Sequence, residues 1–129
     1  MIYLDSSVLL AQLLAEGRRP ETTFWRRRPF VSSRLLEYEV WNRVNARGLE
    51  ESLGPTVRST LERVSLLELV PPVLSRALEA FPIPVRTLDG LHLASMEFLR
   101  QAGQAPELAT YDLRLADAAS AMGIPIVDL

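Results

Sequence analysis
Four acidic side chains sit where chemistry would need them. Asp5, Asp89 and Asp112 fall where a strand or loop hands over to a helix, and Glu39 lies within a helix at the edge of its apolar stripe. In an open parallel sheet, ligands bind in the crevice beyond the carboxyl ends of the strands, so residues distant in sequence converge there. Each aspartate also has an ordinary explanation as a helix N-cap, worth about 1 kcal/mol. Thr87 competes with Asp89 for that duty, which leaves Asp89 in the first helical turn with no cap to serve. Winding Ser33 to Arg47 at about 3.6 residues per turn puts Glu39 between Leu35 and Ala46, beside the Leu36, Val40 and Val44 stripe. A carboxylate there needs a partner. Arg43, one turn on, offers an i,i+4 ion pair worth only about 0.2–0.5 kcal/mol. Glu37 falls on another face and is not chosen.

Carboxylates gathered in one crevice repel one another unless protons or cations neutralise them. With one histidine and no cysteine, a nitrogen-and-sulfur zinc site is nearly excluded. An acidic, oxygen-only site points to phosphoryl chemistry assisted by Mg²⁺ or Mn²⁺. The fourteen basic residues are all arginine, so no Schiff base or P-loop lysine is available. The net charge of −2 argues against a strongly basic nucleic-acid coat but allows a local basic patch.

The elements that must position these groups follow from the pattern of apolar runs. Short apolar segments alternate with helical ones, which predicts an α/β domain with a central, mainly parallel sheet. The 129 residues fit one domain, 1–129. Met1 to Leu4 reads as a buried strand ending at Asp5. Ser6 and Ser7 can cap a helix running from Val8 to Leu14. A short helix through Glu21 to Arg28 precedes the strand Phe30 to Ser32, and Ser33 caps a helix reaching about Gly48. Gly54-Pro55 has the form of a helix start. A strand around Leu67 to Val70 follows, Pro71-Pro72 breaks the chain, and a short helix runs through Phe81. Thr87 caps the next helix, which ends at Gly103. Leu108 to Thr110 reads as a strand, Asp112 opens a helix closing at Gly123, and Ile124 to Val127 reads as the last strand. No signal segment or membrane-length apolar run is visible, so a cytoplasmic protein without membrane association is expected.

Taken in order, the segments Ile2 to Ser7, Ser32 to Leu36 leading to Glu39, Arg86 to Ala94, and Thr110 to Leu115 resemble the PIN domain. More closely, they resemble the VapC toxins of VapBC toxin–antitoxin pairs. The resemblance covers essentially the whole chain, and the last two segments carry most of it. It implies a three-layer α/β/α fold and a Mg²⁺-dependent endoribonuclease that hydrolyses RNA phosphodiesters with a metal-activated water. It also implies a VapB-like antitoxin partner. By position, Asp5 and Asp89 match the principal metal-binding aspartates, Glu39 and Asp112 the other acidic members, and Thr110 an accompanying hydroxyl residue. Ser6 and Asp117 rank as supporting residues. Many relatives carry arginine three residues after the helix glutamate; here that place is Asn42, and either Arg43 takes the role or the RNA contacts differ.

Other residues have weaker claims. His92 reads as a packing or hydrogen-bonding residue rather than a ligand. Arg18-Arg19 and Arg26-Arg27-Arg28 are candidates for RNA phosphates, with a solvated surface as the rival reading. Phe24, Trp25 and Trp41 are candidate exposed anchors for a homodimer or antitoxin contact. Two other function classes compete. A phosphoacceptor receiver domain has a similar acidic pocket but needs a lysine, which this chain lacks. A catalytically idle PIN fold that binds RNA or a partner would keep the same carboxylates.

Overall fold
The computed structural model describes residues 1–27 and 29–129. Its sheet is parallel throughout, built from β1 (Ile2–Leu4), β2 (Phe30–Ser33), β3 (Ser65–Leu67) and β4 (Glu107–Ala109), in the order β3-β2-β1-β4. Helices α1 (Ser6–Leu13), α2 (Leu35–Ala46), α3 (Glu50–Leu61), α4 (Pro71–Ala77), α5 (Thr87–Gln101) and α6 (Leu113–Ala121) complete the domain. Strand alternation divides the core. Ile2, Leu4 and Phe30 pack with residues of α1, α2 and α3, whereas Tyr3, Val31 and Leu108 pack with those of α5 and α6. The result is the three-layer α/β/α arrangement expected. No helix among the described residues is long and apolar enough to cross a membrane.

Several boundaries differ from the sequence reading, each for a local reason. Gly54 and Pro55 lie inside α3, which begins at Glu50. Glu50 and Glu51 in its first turn favour that start electrostatically, and Gly54 is buried against the Trp41 ring. Thr87 is not a cap: it is already helical, and Arg86 holds the N-cap position without a side-chain bond. Between Pro20 and Pro29 only the 3₁₀ turn Phe24–Arg26 forms, and Arg28 lies outside the described residues. The third strand sits earlier than expected, at Ser65–Leu67, and α4 ends at Ala77, short of Phe81. The C-terminal segment joins β4 by a single parallel bridge, Leu108 to Ile126, and not as a full strand. Gly48 and Gly123 follow their helices at φ +65° and +77°, the left-handed C′ position expected of them.

Candidate active site
Asp5, Asp89 and Asp112 come from three different junctions with helices, and Glu39 from within α2. Asp5 follows β1 and caps α1. It is 5% exposed, and its Oδ2 accepts from the Ser7 amide (3.3 Å), the Ser7 hydroxyl (2.6 Å) and the Thr110 hydroxyl (2.8 Å). All three bonds end on one oxygen, which leaves Oδ1 without a hydrogen-bond partner among the described residues. Thr110 follows β4, and its hydroxyl also accepts from the Asp112 amide at 2.9 Å. Asp112 caps α6, its Oδ1 accepting from the amides of Arg114 (2.9 Å) and Leu115 (3.4 Å). The capping explanation thus holds for Asp5 and Asp112, and both still border the crevice.

Glu39 turns toward the same place. Its Oε1 lies 2.5 Å from His92 Nε2, and its Oε2 accepts from the Ser6 hydroxyl at 3.2 Å. Among the described residues no ion pair joins it to Arg43, which instead borders a small recess with Ser7, Arg18 and Tyr111. Glu37 pairs with Arg34 at 3.4 Å on the other face, as the helix wheel requires.

Asp89, in the first turn of α5, is partly buried. Its carboxyl is held above its ordinary pKa by burial first, then by the charges of Asp112 and Asp5; His92 opposes the shift and Glu39 adds to it. Asp112, Asp5 and Glu39 thus lie near enough to Asp89 to act on it electrostatically. Asp117 is exposed and makes no hydrogen bond to the cluster among the described residues. It shares with Asp89, Arg86 and Arg114 a cleft of about 410 Å³.

The arrangement suits a hard cation. Asp89 has no hydrogen bond among the described residues to compensate its burial, Asp5 presents an unpartnered oxygen, and the repulsion among the carboxylates is relieved by positive charge. Asp5, Glu39 and His92 also offer one ligand atom each within 4.8 Å of one another. His92, however, has both ring nitrogens occupied, by Tyr3 and Glu39.

Other expectations need correction. Phe24 is buried, and Trp25 packs on it and on Phe30, so neither is a free anchor. Trp41 is partly buried, with the Arg58 guanidinium 5.9 Å from its ring centre. Exposed large apolar side chains among the described residues are instead Tyr38, Leu74, Leu78, Leu88, Leu113, Ile126 and Leu129, and of these Leu74 and Leu78 line a groove of about 740 Å³ between α4 and α5. Arg27 pairs with Glu107 at the start of β4, the end of the sheet opposite the carboxylates. Sequence reasoning missed Ser7 as a holder of Asp5. Its hydroxyl also accepts the Tyr111 amide at 2.9 Å, a long-range contact with no local signature.

A family model for the PIN domain matches residues 2–121. Ribonuclease VapC46 of Mycobacterium tuberculosis (strain ATCC 25618 / H37Rv) is 35% identical, with 98% of this chain and 95% of that protein aligned. Ribonuclease VapC35 of the same strain is 31% identical over 98% and 96%. Ribonuclease VapC47 of strain CDC 1551 / Oshkosh is 29% identical over 95% and 93%. The chain belongs to the PIN-domain family and, within it, to the VapC group.

Proposed function
We propose that this chain is a divalent-metal-dependent endoribonuclease, the toxin of a VapBC-type pair acting on cytoplasmic RNA. The observation that carries the reading is the convergence of Asp5, Glu39, Asp89 and Asp112 at the carboxyl edge of the sheet. The ribonuclease names of the relatives support it. Asp5, through its free Oδ1, and Asp89 are the residues that would hold Mg²⁺ or Mn²⁺. A divalent ion there supplies charge neutralisation at the scissile phosphate and a nucleophilic water at neutral pH. Ser7 and Thr110 hold the Asp5 carboxylate by Oδ2, which leaves Oδ1 available to an ion. Glu39, on α2, and Asp112, the N-cap of α6, would accept hydrogen bonds from an attacking water or complete the ligand set. Arg86 and Arg114 border the cleft beside Asp89 and can pair with flanking phosphates.

A homodimer would use the apolar groove that Leu74 and Leu78 line between α4 and α5. An antitoxin segment would inhibit by placing an arginine among the carboxylates, where it competes with metal and phosphate. The test is cleavage of end-labelled RNA with Mg²⁺, with EDTA, and with the cognate antitoxin at saturation. The reading expects cleavage with Mg²⁺ to products bearing 5′-phosphate and 3′-hydroxyl ends, and none in the other two conditions. RNA binding without turnover in Mg²⁺ or Mn²⁺ would establish the idle-fold alternative. Undiminished cleavage in the saturated complex would refute the inhibitory role.

A further inference from the structure
His92 is the chain's single histidine and is 1% exposed, on the sheet-facing side of α5. Its Nδ1 lies 2.7 Å from the Tyr3 hydroxyl and its Nε2 lies 2.5 Å from Glu39 Oε1. The Tyr3 and His92 rings meet edge to face, with centroids 5.7 Å apart.

Proton inventory fixes the direction of both bonds. An ionised carboxylate only accepts, so Nε2 must carry the hydrogen that reaches Glu39. Tyr3 is fully buried in β1, and burial pushes its hydroxyl pKa up, so it keeps its proton. Among the described residues its hydroxyl has one hydrogen bond, to His92 Nδ1 at 2.7 Å, so its proton is directed there. Tyr3 is therefore the donor to Nδ1. With Nε2 donating to Glu39 and Nδ1 accepting from Tyr3, neither nitrogen keeps a free in-plane lone pair for a metal. The ligand spacing shared by Asp5, Glu39 and His92 is then explained by His92 supporting Glu39 from behind.

We propose that Tyr3 and His92 form a positioning pair that carries rigidity from the core strand β1 to Glu39 and orients its carboxylate toward the ion site, a role that rests on the nuclease reading. His92 restrains Oε1 and Ser6 restrains Oε2, so the carboxylate plane is held from both ends. Hydrogen-bond partners behind a metal-site carboxylate typically matter by about 10–100-fold in affinity or activity.

A single histidine makes the imidazole directly readable. Long-range ¹H–¹⁵N correlation spectra of the uniformly labelled protein should show a pyridine-type Nδ1 and a protonated, pyrrole-type Nε2, with the pattern kept when Mg²⁺ is added. Tyr3→Phe should move Nδ1 toward the position of an unbonded ring nitrogen. Calorimetric titration with Mn²⁺ should show affinity falling about 10–100-fold in His92→Leu and recovering in part in His92→Gln, which restores an N–H donor. A proton on Nδ1, a doubly protonated ring, or loss of the Nε2 proton on adding Mg²⁺ would overturn the proposal. So would unchanged Mn²⁺ affinity in His92→Leu. If that variant does not fold, the spectra of the unaltered protein still decide the bond directions. Absence of Mn²⁺ binding by the unaltered protein would overturn the nuclease reading and the positioning role together, whereas a wrong tautomer would overturn the positioning pair alone.

Discussion

Replacing Asp89 by asparagine removes a negative charge from the cluster without weakening a hydrogen bond, since its burial and neighbouring charges act on an otherwise unbonded carboxylate. Asp5→Asn differs. Asp5 and Glu39 offer oxygens within 4.8 Å of each other, and unit charges at that separation repel by about 3.5 kcal/mol at an effective dielectric of ~20. Against that relief, three charge-assisted bonds to Asp5 Oδ2 become neutral ones, each weaker by about 1 kcal/mol. The metal-free Asp5→Asn protein should therefore stay within about 1 kcal/mol of the unaltered chain, while Asp89→Asn should be more stable by about that amount or more. Mg²⁺ at a hundred times its Kd should stabilise the unaltered protein by about 2.7 kcal/mol, a rise in Tm of roughly 10 °C for a domain of this size. Neither amide variant should show more than a small part of that rise. Thermal unfolding followed by circular dichroism, in EDTA and in Mg²⁺, reads all of these quantities. An equal Mg²⁺-linked rise in both variants would refute the ligand assignment. An Asp89→Asn protein less stable than the unaltered chain in EDTA would refute the electrostatic reasoning.

Three further outcomes follow from the same geometry. Glu39→Gln should reduce RNA cleavage far more than Glu37→Gln, since only Glu39 faces the crevice; equal losses in the two variants would remove the support for choosing Glu39. Because burial and neighbouring carboxylates raise the Asp89 pKa in the folded state, protons compete with the ion above the usual carboxylate range. Mg²⁺ affinity should accordingly fall as pH is lowered through that raised pKa. In EDTA, the folded state binds the Asp89 proton more tightly than the unfolded chain does, so the stability advantage of Asp89→Asn should shrink over the same descent. Calorimetric and unfolding series across pH check both, and an advantage that grows toward low pH would contradict them. Light scattering at micromolar concentration should find a dimer that Leu78→Glu dissociates; a monomeric unaltered protein would count against the apolar α4 face as an interface.

The carboxylate cluster was legible because three of its members stand at element boundaries, where junctions with helices leave a characteristic local pattern. Asp5 and Asp112 could be placed from the runs around them, and the helix wheel separated Glu39 from Glu37. The supporting contacts were not legible. Ser7 to Tyr111, Ser6 to Glu39 and Tyr3 to His92 join residues 104, 33 and 89 positions apart, and nothing local specifies them. A signal for the last did exist: His92 stands three residues after Asp89, and Tyr3 points to the opposite face from Ile2 and Leu4. Gly54-Pro55 misled because its local preference for a helix start yields to the acidic first turn at Glu50 and to packing against Trp41. Phe24 and Trp25 were assigned to the surface because a short polar stretch gives no periodicity from which to read their burial.

The most direct test of the carboxylate site is the anomalous difference map of a crystal soaked in Mn²⁺. A peak is expected bounded by Asp5 Oδ1 and the Asp89 carboxylate, at the roughly 2.0–2.2 Å of oxygen ligation to a small hard dication, with His92 Nε2 directed to Glu39 and outside the coordination sphere. A peak ligated by His92 Nε2, or a crevice without a peak at saturating Mn²⁺, would contradict it.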